Sequence, residues 1–219
     1  MLDCLDDWLP SWLVDIGYLA WWLAGYVPAL AFAWQASLVV GSGLVILATV
    51  HVPPLPRVTS GVAAIDWLIV LVLYDIAFYS YHRWILHGTR IGWWAHRFHH
   101  SGHTWWPLLG MRDHPLAIAL TTAWKPALLG LVGAPWQLVG LLVVHNLWQH
   151  STIGDSWRLE VLLGPAHHRV HHSVHERHHG RNYGSWLTLW DRLGGTYCPE
   201  IGRWEVGLSR PAPAPPSPS

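Results

Sequence analysis

The chain has 219 residues, with 13 basic and 13 acidic side chains and no net charge, enough for one domain of ordinary size. Hydrophobic residues make up 52% and charged residues 12%, about half the charge of a typical soluble domain, which points to a surface that faces lipid. The even balance excludes the basic excess of a nucleic-acid binder, and two cysteines, Cys4 and Cys198, exclude a disulfide framework and a thiolate metal cage. Two residue types are over-used, 18 Trp and 17 His. Trp favours membrane interfaces and His is the commonest metal ligand.

The first residues, Met1 to Asp7, are acidic, unlike the basic start of a secretory signal peptide. From Ile16 to Pro56, 41 residues carry no Asp, Glu, Lys or Arg. About 20 apolar residues cross a membrane, so segment 16–52 holds one long helix with an interfacial lead-in or two tight crossings broken near Gly25 to Pro28. Pro53, Pro54 and Pro56 end it. A further crossing is predicted over 62–81, carrying Asp66 and Asp75. Intramembrane acids mark function, although Asp66, near the helix end, reads equally as a cap.

From Pro115 to His150 the chain is apolar except for Lys125. Leu131 to Pro135 reads as a turn, so 115–131 and 134–150 form a helical hairpin. Lys125-Pro126 kinks its first arm or makes it re-entrant, and the hairpin returns His150 to the face left at His114. The Pro-rich tail 209–219 reads as disordered. The expected fold is all-α: residues 1–208 form a single membrane-embedded domain, an integral-membrane helical bundle with a histidine-rich helical cap.

Sixteen of the 17 histidines lie between His82 and His179. Three boxes stand out: His82 with His87; His96, His99 and His100; and His168, His171 and His172. Positions i, i+3 and i+4 share a helix face, so the second and third boxes each aim three imidazoles at one place. His82 and His87 are five apart, off-face for an ideal α-helix. Eight imidazoles exceed the four ligands of a structural zinc site, which implies two metals. His150 is a further ligand candidate, and the spacing leaves open whether His145 or Asn146 also contacts metal. Imidazole suits Fe, Zn, Cu and Ni alike. Carboxylates are expected to hold the outer ring nitrogens: Asp75, Asp113 and Asp191, then Glu176. His114, His178 and His179 are placed near the site. Trp93, Trp94, Trp105, Trp106 and Trp148 flank the boxes as an interfacial belt or as a tunnel lining. The rival reading is a His-rich membrane metal transporter or metal-binding protein. A transporter places its ligands inside crossing helices, whereas these boxes fall in polar stretches.

The residues resemble the fatty acid hydroxylase/sterol desaturase superfamily of integral-membrane di-iron enzymes. Asp75 to Arg83 resembles the lead-in to its first box, His96 to Ser101 its second box, and His168 to Ser173 its third. Arg112-Asp113-His114-Pro115 and Gln149-His150-Ser151 resemble two shorter elements, and Asn182 to Tyr197 the closing signature. Asn146 stands where some relatives place another histidine. The resemblance covers roughly Asp66 to Tyr197. It implies two iron ions, which zinc can replace in a purified sample, and O2-dependent hydroxylation or desaturation of a lipid C–H bond (fatty acyl, sterol or related). With no flavin, nicotinamide or haem motif and no Cys cluster, electrons are expected from an external donor: a cytochrome b5-like protein, a ferredoxin or a reductase.

Nine arginines between Arg83 and Arg192 surround the boxes, so the positive-inside rule puts the site on the cytoplasmic face of a multi-pass protein. The acidic N-terminus favours the outside. Both hold only if 16–52 crosses twice.

Overall fold

The computed structural model describes residues 62–114, 116–118, 120–121, 124–125, 128, 137–155, 157 and 160–208. Segment 16–52, the turn at 131–135 and the tail 209–219 lie outside the described residues, and so do the expectations placed on them. The described residues hold five α-helices in named form: α1 (Ala63–Ser80), α2 (Arg90–His100), α3 (Gln137–Gln149), α4 (Pro165–His171) and α5 (Leu189–Leu193). The described residues between 116 and 128 are helical as well. Among the described residues there is no strand, only two isolated bridges, Leu162 to Leu187 and Ser173 to Val206.

α1 starts within a residue of its expected position and runs on through a π-helical turn, Tyr81–Leu86. Ala64–Leu86 is 23 residues long and apolar enough to cross a membrane. Its Ile65, Leu68, Leu73 and Ile76 are exposed. The opposite face packs into a small core in which Val70 and Tyr74 meet Leu142 of α3, flanked by Trp67, Phe78, Trp124, Leu128 and Trp186.

The π turn resolves the awkward spacing of the first box. His87 N–H bonds back five residues to the His82 carbonyl at 3.0 Å, so residues five apart fall on one face. The His82 and His87 rings are accordingly 5.0 Å apart. Gly92 makes the tight return possible: a Cβ there would lie 1.9 Å from the Ile85 carbonyl oxygen. α2 begins beside it, with the Thr89 hydroxyl accepting from Gly92 N–H at 2.9 Å as an N-cap. Pro165 occupies the first turn of α4, where its missing N–H costs nothing.

Two buried carboxylates clamp the loop between α4 and α5. Asp75, fully buried in α1, accepts from Ser185 N (3.2 Å), Trp186 N (2.7 Å), Leu187 N (2.9 Å) and Trp190 Nε1 (2.9 Å). Asp191, equally buried, accepts from Tyr183 N and Gly184 N at 2.8 Å each and from Thr196 Oγ1 at 2.6 Å. Asn182 sits in the left-handed region (φ 52°), which Asn tolerates better than most residues. Its amide bonds His167 O, Cys198 O and Cys198 N. Gln149 at the end of α3 donates to Ser185 O at 2.6 Å.

Asp75→Ala strands four donors, one on buried Ser185 and three on half-buried Trp186, Leu187 and Trp190. At about 1–3 kcal/mol per unsatisfied group, several of which relax to new partners, the expected loss is about 3 kcal/mol or more. Thermal unfolding of the solubilised protein should show a lowered midpoint, with Asp75→Asn falling in between; an unchanged midpoint for Asp75→Ala contradicts the clamp.

Candidate metal centre

The fold gathers the nine predicted ligands into two adjoining groups. His82, His87, His96, His100 and His171 form one, and His99, His150, His168 and His172 the other; within each, the donor nitrogens all lie within 4.8 Å of one another. The boxes are therefore split: α2 gives His96 and His100 to one group and His99 to the other, and α4 gives His171 to the first and His168 and His172 to the second. The groups touch, with the His100 and His172 rings stacked at 4.3 Å between centroids. All nine are buried except half-buried His87.

Backbone carbonyls aim these rings. His82 Nδ1 meets Tyr183 O at 2.8 Å, His171 Nδ1 meets Arg181 O at 2.7 Å, His99 Nδ1 meets Arg112 O at 3.2 Å and His150 Nδ1 meets Asn146 O at 2.8 Å. A neutral imidazole has one N–H, and a carbonyl only accepts, so in these four rings the proton sits on Nδ1 and Nε2 is a bare lone pair. The Nε2 atoms of His99 and His150 then face each other at 3.3 Å with no proton between them. Two opposed lone pairs repel in a buried space, and a cation between them turns the repulsion into binding. His87 Nε2 and His171 Nε2 are buried without a hydrogen-bond partner among the described residues. The spacings fit coordination. Nε2 atoms lie 3.0 Å apart for His82–His96 and His150–His168, and 3.2 Å for His96–His100 and His168–His172. A metal–nitrogen bond of about 2.1 Å puts neighbouring ligand nitrogens about 3.0 Å apart at right angles and about 3.4 Å at tetrahedral angles. Both groups are thus able to bind metal.

The carboxylates behave differently from expectation. Asp75 and Asp191 touch no imidazole; they take the N–H groups of residues 183–187, and the carbonyls of Arg181 and Tyr183 in the same loop take His171 and His82. They position ligands through the backbone. Asp113 is the nearest acid to the groups, with Oδ1 4.0 Å from His99 Nδ1. Glu176 is exposed.

The remaining candidates separate from the groups. His145 stacks on Trp186 at 3.6 Å, and Asn146 donates to Gly110 O at 2.7 Å, so neither joins a ligand group. Gly110 has to be small, because a Cβ would lie 2.7 Å from His150 Nδ1. His114 meets Trp94 edge-to-face at 4.5 Å between ring centroids and accepts from Leu116 N, and His179 is exposed. His178 is buried and bonds Glu200 at 3.0 Å, near Cys198; Arg177 Nε, 3.3 Å from the same carboxylate oxygen, already supplies a cation there. A zinc hydrolase would need His-Glu-x-x-His, and the expectation that the chain lacks that spacing is wrong: residues 175–179, His-Glu-Arg-His-His, carry it. That motif works on an α-helix. Here it is a single 3-10 turn with His175 and His179 exposed, and neither belongs to a ligand group.

Trp105 covers the second group, its ring 5.5 Å from His150 and 5.6 Å from His172, and Trp93 lies 5.2 Å from His87. A cavity of about 250 Å³ opens onto His82 and His96 of one group and His99, His150 and His168 of the other, and Tyr74 and Phe78 of α1 and Leu142 of α3 also line it.

Burial, reinforced by neighbouring imidazoles, holds His96, His100, His168 and His172 well below the ordinary histidine range. Burial lowers His171 to about 4. The rings are therefore neutral at pH 7, as metal ligation requires. Unfolded histidines titrate near about 6.5, so the stability tied to neutral rings is complete above that pH and is lost as pH falls toward 4, about 3 kcal/mol for His171 alone. Chelator-treated protein is expected to lose its near-UV circular dichroism between pH 6.5 and 4, and metal-loaded protein at lower pH. Coincident transitions contradict ligation.

Comparison with known proteins agrees with this centre. The Fatty acid hydroxylase family model matches residues 67–196, a range that contains all nine histidines. Alkylglycerol monooxygenase of Danio rerio is 27% identical over 155 residues, covering 68% of this chain and 34% of its own length. The Homo sapiens alkylglycerol monooxygenase is 28% identical over 151 residues, covering 66% and 33%. The chain thus spans about a third of the length of the curated relatives it matches. No solved structure matches. With the family model running over more than half of its residues and through every histidine of both groups, the chain belongs to the Fatty acid hydroxylase family.

Proposed function

We propose that the chain is a membrane-bound, O2-dependent di-iron monooxygenase that hydroxylates a C–H bond of a lipid. One observation carries the reading: two adjoining groups of five and four imidazoles open onto one cavity that is also lined by a helix of membrane-crossing length, which contributes Tyr74, Phe78 and His82. The family membership and the monooxygenase names of its relatives support the reaction class. The lipid is proposed to be a long alkyl chain, in keeping with the alkylglycerol named for those relatives.

The reaction is R–H + O2 + 2e⁻ + 2H⁺ → R–OH + H2O, with the electrons from an external donor such as a cytochrome b5-like protein, a ferredoxin or a reductase. The nine histidines would hold two iron ions, which supply O2 activation next to the substrate carbon. Everything else falls to the chain. The carbonyls of Arg112, Asn146, Arg181 and Tyr183 keep protons on Nδ1 and lone pairs on Nε2. Phe78, Leu86 and Leu142 line the cavity with hydrocarbon, which excludes water and admits an alkyl chain. The exposed apolar face of α1 lets the substrate arrive from the bilayer. The centre is proposed to lie on the cytoplasmic face of a multi-pass protein, as the arginines around it favour.

His99→Ala and His171→Ala, one from each group, are each expected to cut lipid hydroxylation at least about a hundredfold while the protein still fractionates with membranes. Full turnover in both rejects the reading. A cysteine at exposed Arg97, in a chain lacking Cys4 and Cys198, should react with an impermeant maleimide only from the cytoplasmic side; reaction from outside overturns the topology.

A further inference from the structure

Lys125 is the one charged residue in the apolar stretch from Pro115 to His150, and the metal centre has no use for it. It lines the same cavity as the imidazoles of both groups. Its Nζ lies 5.9 Å from the centre of the Tyr74 ring and 5.7 Å from that of Phe78. Ring faces attract the cation but accept none of its three N–H bonds in the way an oxygen does. Among the described residues no carboxylate comes within ion-pair distance of it.

Several polar groups sharing the cavity have partners of their own. Thr121 pairs with the Tyr81 hydroxyl at 3.1 Å, Asn146 donates to Gly110 O, and Gln149 donates to Ser185 O. Asp113 lies 4.0 Å from His99 Nδ1 and also attracts Lys125 from beyond ion-pair distance. His145 adds a buried Nε2 with no hydrogen-bond partner among the described residues. The cavity is therefore largely hydrocarbon-walled, imidazole-faced at one side, and supplied with a cationic donor that has no carboxylate at ion-pair distance among the described residues.

We propose that Lys125 is the specificity-determining residue of this cavity, donating to an acceptor oxygen in the head of an amphiphilic lipid and so orienting its chain toward the imidazole groups. The inference rests on the lipid-oxidising reading above and adds a substrate class to it: long-chain lipids whose head carries an ether, hydroxyl, carboxylate or phosphate oxygen, with bare hydrocarbons excluded. The exclusion has a physical cause. A headless chain would cover the ammonium and leave its donors unpaired, and sites built to bond an oxygen reject the analogue that lacks it.

The test is binding to the metal-loaded protein in nanodiscs, followed by quenching of tryptophan fluorescence with brominated chains: 1-bromoundecane, 11-bromoundecan-1-ol and 11-bromoundecanoate. The two oxygen-headed probes are expected to bind at least about tenfold more tightly than the headless one, a threshold far below the discrimination such sites reach. Lys125→Met should remove the preference, leaving headless binding and metal content unaltered, and Lys125→Gln, which keeps a shorter donor, should retain part of it. Preference for both oxygen-headed probes supports a general oxygen site, and preference for one narrows it to a neutral or an anionic head. Oxygen-headed binding equal in wild type and Lys125→Met overturns the inference. Turnover distinguishes the two layers. Protein that hydroxylates lipid without any dependence on Lys125 sinks this inference alone; protein that shows the Lys125 preference but oxidises no lipid sinks the proposed function alone.

Discussion

Four imidazoles whose outer nitrogens are tied to backbone carbonyls have to present lone pairs inward, and the structure depends on this constraint. His82, His171, His99 and His150 are all held this way. A buried space lined with lone pairs is unfavourable by itself, since protons are disfavoured there by burial and by the neighbouring rings. Divalent cations relieve both problems together. Metal binding and correct packing of the interior are on this account one free energy.

The closing loop shows how the chain enforces the aim. Asp75 and Asp191 consume N–H groups on one side of residues 183–187, while carbonyls of the same loop meet the histidines. A peptide unit whose N–H is fixed by a buried carboxylate has its carbonyl direction fixed too. Asp191 acts in this way on His82, because the Gly184 N–H that it holds and the Tyr183 carbonyl belong to one peptide, and Asp75 fixes residues 185–187 that follow. Lys125 is the proposed counterpart on the substrate side, a cation that faces the Tyr74 and Phe78 rings with no carboxylate at ion-pair distance among the described residues.

Much of this was legible in the sequence. The second and third boxes are local: i, i+3 and i+4 arithmetic puts three rings on one face, and α2 and α4 do this. The apolar run over 62–81 was also readable, and α1 follows it. The all-α expectation agrees with the described residues, whereas the full bundle does not lie within them. What escaped was set by tertiary contact. The π turn that aligns His82 with His87 depends on α2 crossing tightly at Gly92. The partition of boxes between two groups depends on how α2 and α4 face each other. Carbonyl partners leave no mark in a sequence because every residue has one, so the acidic residues were assigned work that the backbone does. His145, next to a ligand candidate by spacing, is drawn off by Trp186 from a distant segment.

The central claim is that these nine rings share two metal ions. X-ray absorption at the iron edge of the iron-loaded protein, with metal content per chain measured alongside, tests it most directly. The account predicts two irons per chain, each surrounded mainly by imidazole nitrogens. A single iron, or a shell dominated by carboxylate oxygen or by sulfur, would contradict it.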